Sequence, residues 1–351
     1  MKRANKILFK ILLPTVTLFF LLQGCVENKN NAEIPKRLNE KILIELKGKW
    51  KFSLGDSPER SQVDFNDNNW ELIDVPSSWE NQGFHGYDGF AWYRKEFTVT
   101  DDLSKENLYL ILGFVDDVDQ TYLNGKLIGL SGGLPPNYNT AYNAYRRYKI
   151  PTDLLKKGKN VIAVRVYDQE LEGGIMSGVP GIYSVLDEIN PDLTLEGIWK
   201  FKIGDDKVRA DINYDDSDWD SSFVPAHWEM QGYRDYDGFA WYRKKFSISK
   251  ELSKERLILL MGKIDDIDQT YINGVQIGST GLWNFNKVPT DFNTRNEWEQ
   301  KRIYSIPDGL LNFNGENIIA VRVYDGFRDG GIYQGPIGII TEKKFRQSSS
   351  R

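Results

Sequence analysis

The 351-residue sequence predicts an all-β protein built as two tandem β-sandwiches. Three observations carry this: the sequence is duplicated, its apolar segments are short, and no long stretch repeats with a 3.6-residue period. Tyr87–Lys95 recurs identically as Tyr236–Lys244, an offset of 149. The same offset links Trp50 with Trp199, Trp70 with Trp219, Trp79 with Trp228 and Asn124-Gly125 with Asn273-Gly274. Ile162–Asp168 recurs as Ile319–Asp325 at offset 157, so the second copy holds about eight extra residues, placed between 279 and 303.

From the N-terminus, Lys2, Arg3, Lys6 and Lys10 precede an apolar run from Ile11 to Leu22. A basic leader and a short apolar core make a secretory signal peptide over residues 1–24 rather than a membrane span. The ending Leu22-Gln23-Gly24-Cys25 resembles the bacterial lipobox, which implies lipidation of Cys25, the sole cysteine. Multiple acyl chains would hold the chain to a membrane. Val26, not Asp, follows Cys25, which points to an outer-membrane lipoprotein and leaves its face open. Removal of the four leader cations takes the net charge from −5 to −9.

A polar tether over 25–41 leads into the first domain, 42–186. There, Trp92–Val99 alternates, with Tyr93, Phe97 and Val99 on one face. Leu108–Val115 is continuously apolar, as for a strand buried on both faces. Gln120–Ile128 is a hairpin around Asn124-Gly125, which supplies the positive φ angles of a tight turn. Val161–Tyr167 is a further strand. Residues 187–191 form a linker, 192–342 repeat the domain, and 343–351 are a polar tail.

The acidic balance offers no nucleic-acid footprint. One cysteine excludes an intrachain disulfide, and two histidines, His85 and His227, leave little for zinc. No organic cofactor is expected. Calcium, held by oxygen ligands, is the one ion the pattern admits, with Asp116, Asp119, Asp265 and Asp268 as candidates. Clustered aspartates also cap loop amides, the ordinary reading of such a turn.

The order of motifs carries a family resemblance. Trp-Lys-Phe is followed by Val-Pro-x-x-Trp, Trp-Tyr-Arg-Lys-x-Phe, Asp-Asp-x-Asp, Tyr-x-Asn-Gly and Asn-x-Ile-Ala-Val-Arg-Val-Tyr-Asp. It resembles the sugar-binding domain of glycoside hydrolase family 2 enzymes such as β-galactosidases, and the equivalent domain of bacterial sialate O-acetylesterases. The resemblance implies a galactose-binding-domain-like jelly roll in each copy. It does not imply catalysis, because in those families the chemistry sits in a separate domain.

Three catalytic patterns are weak. Gly55-Asp56-Ser57 matches the esterase nucleophile block, but its repeat partner Gly204-Asp205-Asp206 has no serine and neither histidine follows an Asp-x-x. Gly129-x-Ser131-x-Gly133 fits a nucleophile elbow but follows a hairpin, not the strand that leads into a helix. No barrel-sized segment exists to hold a glycosidase carboxylate pair.

The aromatics point to binding instead. The expected function is carbohydrate binding in polysaccharide capture or degradation at the cell envelope. The alternatives are a hydrolase or esterase, a chain that completes a partner hydrolase, and an interaction adaptor. Trp283 and Trp298 have no Trp partner and lie with Phe285 and Phe292 in a divergent loop; the first copy has Tyr138, Tyr142, Tyr145 and Tyr148 there. Such loops can stack rings on a sugar's apolar face. Arg146, Arg302, Asp168 and Asp325 are candidate hydroxyl partners, and Trp79 and Trp228 further candidate rings.

Overall fold

The computed structural model describes residues 40–103, 106–151, 153–186, 188–283 and 296–349. The expected signal peptide, Cys25, Phe285 and Phe292 lie outside these residues.

The first copy contributes β1 (Glu40–Glu45), β2 (Gly48–Leu54), β3 (Glu71–Val75), β4 (Gly89–Val99), β5 (Leu108–Asp116) and β6 (Val118–Leu123). They continue with β7 (Lys126–Ser131), β8 (Tyr145–Lys149), β9 (Gly158–Asp168), β10 (Gly174–Ser177) and β11 (Gly181–Val185). One sheet runs β3-β2-β4-β9-β6-β7; the other runs β1-β11-β5, with β8 and β10 also on β5. All pairings are antiparallel.

The second copy repeats the plan with β12 (Leu193–Thr194), β13 (Gly197–Ile203), β14 (Asp220–Val224), β15 (Gly238–Phe246) and β16 (Leu257–Asp265). It ends with β17 (Ile267–Ile272), β18 (Val275–Thr280), β19 (Lys301–Ser305), β20 (Asn317–Asp325) and β21 (Gly331–Thr341). Its sheets run β14-β13-β15-β20-β17-β18 and β12-β21-β16-β19. The protein is all-β, and the one α-helix among the described residues, α1 (Glu342–Ser349), forms where the sequence reads as a polar tail. No described helix is long and apolar enough to cross a membrane.

Each sandwich closes on its own apolar core. In the first, the inward faces of the two sheets bring Trp50, Phe52, Tyr93, Leu110, Leu112, Ile162 and Val164 together. Trp199, Phe201, Tyr242, Leu259, Ile319 and Val321 do the same in the second. The hairpin turn forms as expected, with Asn124 at φ 49° and Gly125 at φ 79°, and likewise Asn273 and Gly274. Asn124 Nδ2 also donates to Asn160 Oδ1 at 2.8 Å, which ties the turn to the start of β9.

The extra residues of the second copy fall in two places, not one. Equivalent residues are offset by 149 at Ser131/Thr280, which both meet a tyrosine hydroxyl. The offset is 156 at Arg146/Arg302 and 157 at Asn160/Asn317. The long insertion therefore lies in the β18–β19 connection, and a single residue lies in the turn before β20.

Candidate functional site

Strand register brings the chemistry-bearing residues to one end of each sandwich. Gly89 opposes Asp168, Val118 opposes Tyr167, and Gly174 opposes Asp116. The ends of β5 and β9 and the starts of β6 and β10 therefore meet, and the β7–β8 loop crosses the same end.

Asp116, Asp117 and Asp168 converge there, with one oxygen of each within 4.8 Å of the others; Asp265, Asp266 and Asp325 do the same in the second copy. The Asp116–Asp117 and Asp265–Asp266 peptides are both cis. Asp168 ends the inward-facing row Ile162, Val164, Val166 of β9 and is fully buried. Burial pushes Asp168 up to about 8, and the charges of Asp117 and Asp116 add to this. Burial and the neighbouring Asp117 carboxylate raise Asp116 to about 7. Asp117 stays below the usual carboxylate range: burial opposes this, but hydrogen bonds from Thr140, Asp116 and Tyr138 prevail. In the second copy, burial first and like charge second raise Asp265 to about 8. In Asp325 the same two causes give a value of about 7.

The cation candidates Asp119 and Asp268 are already paired. Asp119 Oδ1 accepts from Arg146 Nε at 2.8 Å, and both its oxygens accept from Tyr148 Oη at 2.9 Å. Thr121 Oγ1 donates to Oδ2 at 2.7 Å. Arg302, Tyr304 and Thr270 repeat this around Asp268. Arg146 and Arg302 spend their remaining donors on main-chain carbonyls, including Asp117 O and Asp266 O. Arg146, Arg302, Asp119 and Asp268 are all buried and spend their hydrogen bonds on one another, on these neighbouring side chains and on the main chain, so they hold the loop end in place. The carboxylates that do cluster are Asp116, Asp117 and Asp168 in the first copy and Asp265, Asp266 and Asp325 in the second; Asp168 and Asp325 are walled in, so neither faces a sugar.

Trp79 and Trp228 are likewise fully buried and offer no face to a ligand. Each lies over a glycine: a Cβ on Gly173 would meet the Trp79 ring at 2.2 Å, and one on Gly330 the Trp228 ring at 2.1 Å. Their indole N–H groups donate to Tyr87 O and Tyr236 O.

The loop aromatics divide. Tyr142 is 56% exposed and Trp298 is 37% exposed. Each directly follows the residue whose carbonyl accepts from the buried arginine, Ala141 or Glu297. Trp298 therefore has a structural counterpart, Tyr142, which a search for paired tryptophans misses. Tyr138 is half-buried, its ring 5.7 Å from that of Tyr167. Tyr145 packs edge-on to Phe114. The Trp283 ring is 6.3 Å from that of Phe239, and the Arg322 guanidinium stands 4.6 Å from it. The second copy adds a pair that the sequence did not suggest. His227 stacks on Tyr333 at 4.8 Å, and Tyr333 Oη donates to Trp298 O at 2.8 Å. The first copy has Ser78 and Met176 at these places.

The two serines of the catalytic patterns meet other partners than a histidine. Ser131 Oγ meets Tyr148 Oη at 2.9 Å, and Ser57 Oγ donates to Glu59. Shallow grooves of about 370 Å³ lie on the outer sheet faces, at Phe65 and Arg94 and at the equivalent Tyr214. The first is crossed by the Asp67 ion pairs with Lys51 and Arg94.

Residues 213–326 match the family model described as β-galactosidase second all-beta domain. Among curated proteins, β-galactosidase BoGH2A of Bacteroides ovatus is 28% identical over 148 residues, 38% of this chain and 16% of that protein. A β-glucuronidase of Formosa agariphila is 29% identical over 140 residues, 36% of this chain and 12% of that protein. A crystal structure of Bacteroides uniformis β-glucuronidase aligns with 82% of this chain and 28% of its own, at 14% identity and a TM-score of 0.36. The chain thus spans less than a fifth of the curated relatives named here. Its all-β domains resemble those of glycoside hydrolase family 2 β-galactosidases and β-glucuronidases.

Proposed function

We propose that this chain is a carbohydrate-binding lipoprotein without catalytic chemistry of its own, acting in polysaccharide capture or degradation at the cell envelope. The observation that carries the reading is an exposed ring at the same loop position of each sandwich, Tyr142 and Trp298, within a glycoside-hydrolase-like fold. A flat ring on a polar rim suits the apolar face of a pyranose. The leader ending at Cys25 supports the lipoprotein part. Two weak sites on one tether would reinforce each other on a polymer.

The acidic cluster supports a non-catalytic role. A glycosidase needs two carboxylates flanking a bond that the substrate can bring between them. Here Asp168 and Asp325 are fully buried, and the three carboxylates of each cluster crowd together. A second reading, a chain that completes a partner hydrolase, draws on the resemblance of its domains to those of glycoside hydrolases.

A glycan screen with the full chain, alongside Tyr142→Ala and Trp298→Ala, tests the proposal. Saturable binding that falls at least about tenfold in the double variant, without released product, is the expected result. Product release would replace it with an enzymatic reading. Failure to bind any glycan, with co-purification of a hydrolase, would favour the accessory chain.

A further inference from the structure

The carboxylate clusters combine three features that ordinary loop capping does not explain. First, no described ion pair reaches Asp116, Asp117 or Asp168, or their counterparts Asp265, Asp266 and Asp325. The nearest guanidiniums, Arg146 and Arg302, are taken by Asp119 and Asp268 and touch the cluster only through a main-chain oxygen. Second, the Asp168 carboxylate is fully buried and neither of its oxygens has a hydrogen-bond partner; Asp325 Oδ2 is in the same state. A buried charged oxygen left unpaired is costly, and such groups normally coordinate or pair. Third, the arrangement recurs in both copies, although the loops beside it have diverged.

We infer that each sandwich binds one hard divalent cation of the calcium type between its three aspartates. Calcium takes oxygen ligands only and tolerates irregular geometry, with carboxylates one- or two-toothed and water filling the remainder. Asp117 is oriented for this: Thr140 Oγ1 donates to its Oδ1 at 2.6 Å, and the Gln169 amide donates to its Oδ2 at 3.1 Å. Asp266 Oδ2 is held in the same way by the Gly326 amide at 3.2 Å. The ion would tie the β5–β6 turn to the end of β9, and so fix the base of the loop that carries Tyr138 and Tyr142. The inference stands whether or not the chain binds sugar.

The rival arrangement is a proton shared among the carboxylates in place of a metal. The two are separated by titrating the chelator-treated full chain with CaCl2, with MgCl2 as the control, by calorimetry and thermal melting. Saturable uptake of two Ca²⁺ per chain and a melting temperature that climbs with Ca²⁺ are expected. Asp168→Asn and Asp325→Asn, which keep side-chain size, should each leave one ion and the double variant none. Metal-free variants that melt no lower than the metal-free wild type will show that the loss is not unfolding. A folded wild type that takes up no Ca²⁺ at millimolar concentration overturns the inference in favour of the shared proton. Variants that keep both ions place the metal elsewhere and overturn it equally.

Discussion

Arg146 shows how a single residue can be misjudged from its charge. Its strand reads Tyr-Arg-Arg-Tyr-Lys, and alternation puts Arg146 on the side of Tyr148 and Ile150, which is the core. Alternation alone thus marks Arg146 as buried, whereas its charge suggests a partner for sugar hydroxyls. The pair it makes with Asp119 has both side chains fully buried. Removing one partner of such a pair leaves an uncompensated charge and typically costs about 3–5 kcal/mol. Arg146→Met should therefore lower the urea midpoint strongly. Adding Asp119→Leu should recover much of that loss, because the stranded carboxylate goes with it. A loss in the double variant equal to the sum of two large single losses would show that the charges are not the issue.

At the scale of the element, the strands were legible and the loops were not. The hairpin at Asn124-Gly125 and the buried run Leu108–Val115 follow from local pattern alone. Trp79 could not be read this way. It sits in a polar stretch, and what buries it is Gly173, about ninety residues later, whose missing Cβ leaves room for the indole. Only the folded register brings these two together. Gly173→Ala should force Trp79 and the Asp168 Cβ apart and destabilise by about 1–3 kcal/mol, as overpacked cores do. Equilibrium unfolding measures this; an unchanged midpoint would mean that the β9–β10 turn gives way freely. The Tyr142/Trp298 equivalence is hidden in the sequence for a related reason: the insertion before β19 breaks the constant offset between the repeats.

For the whole molecule, acid is the informative stress. Asp67 lies below the usual carboxylate range; burial works against this, but Lys51 and Arg94 outweigh it. Asp56 is lowered as well, with burial overcome by Arg165 and Trp92. A carboxylate whose folded pKa is depressed stabilises fully above its unfolded value, about 3.9. That contribution is lost as pH falls through the lower folded value. The first sandwich should thus weaken below about pH 4, and Asp67→Asn should flatten that acid limb while leaving its shape near neutrality unchanged. Fluorescence-monitored unfolding at stepped pH tests this, and an acid limb identical to wild type would remove Asp67 from the account. The two halves also touch: Asn137 Nδ2 donates to Gly232 O at 3.0 Å, and Arg234 Nη1 donates to Tyr138 O at 3.2 Å. The turn of one repeat thus braces the β7–β8 loop of the other. Slackening of that brace would be felt at a distance: in Arg234→Ala, amide exchange should quicken around Asn139, 95 positions earlier in the chain, while the core of either half stays protected. The first repeat would then owe the stiffness of its own loop to its neighbour, so its sequence could drift toward a new specificity only as far as that neighbour allowed.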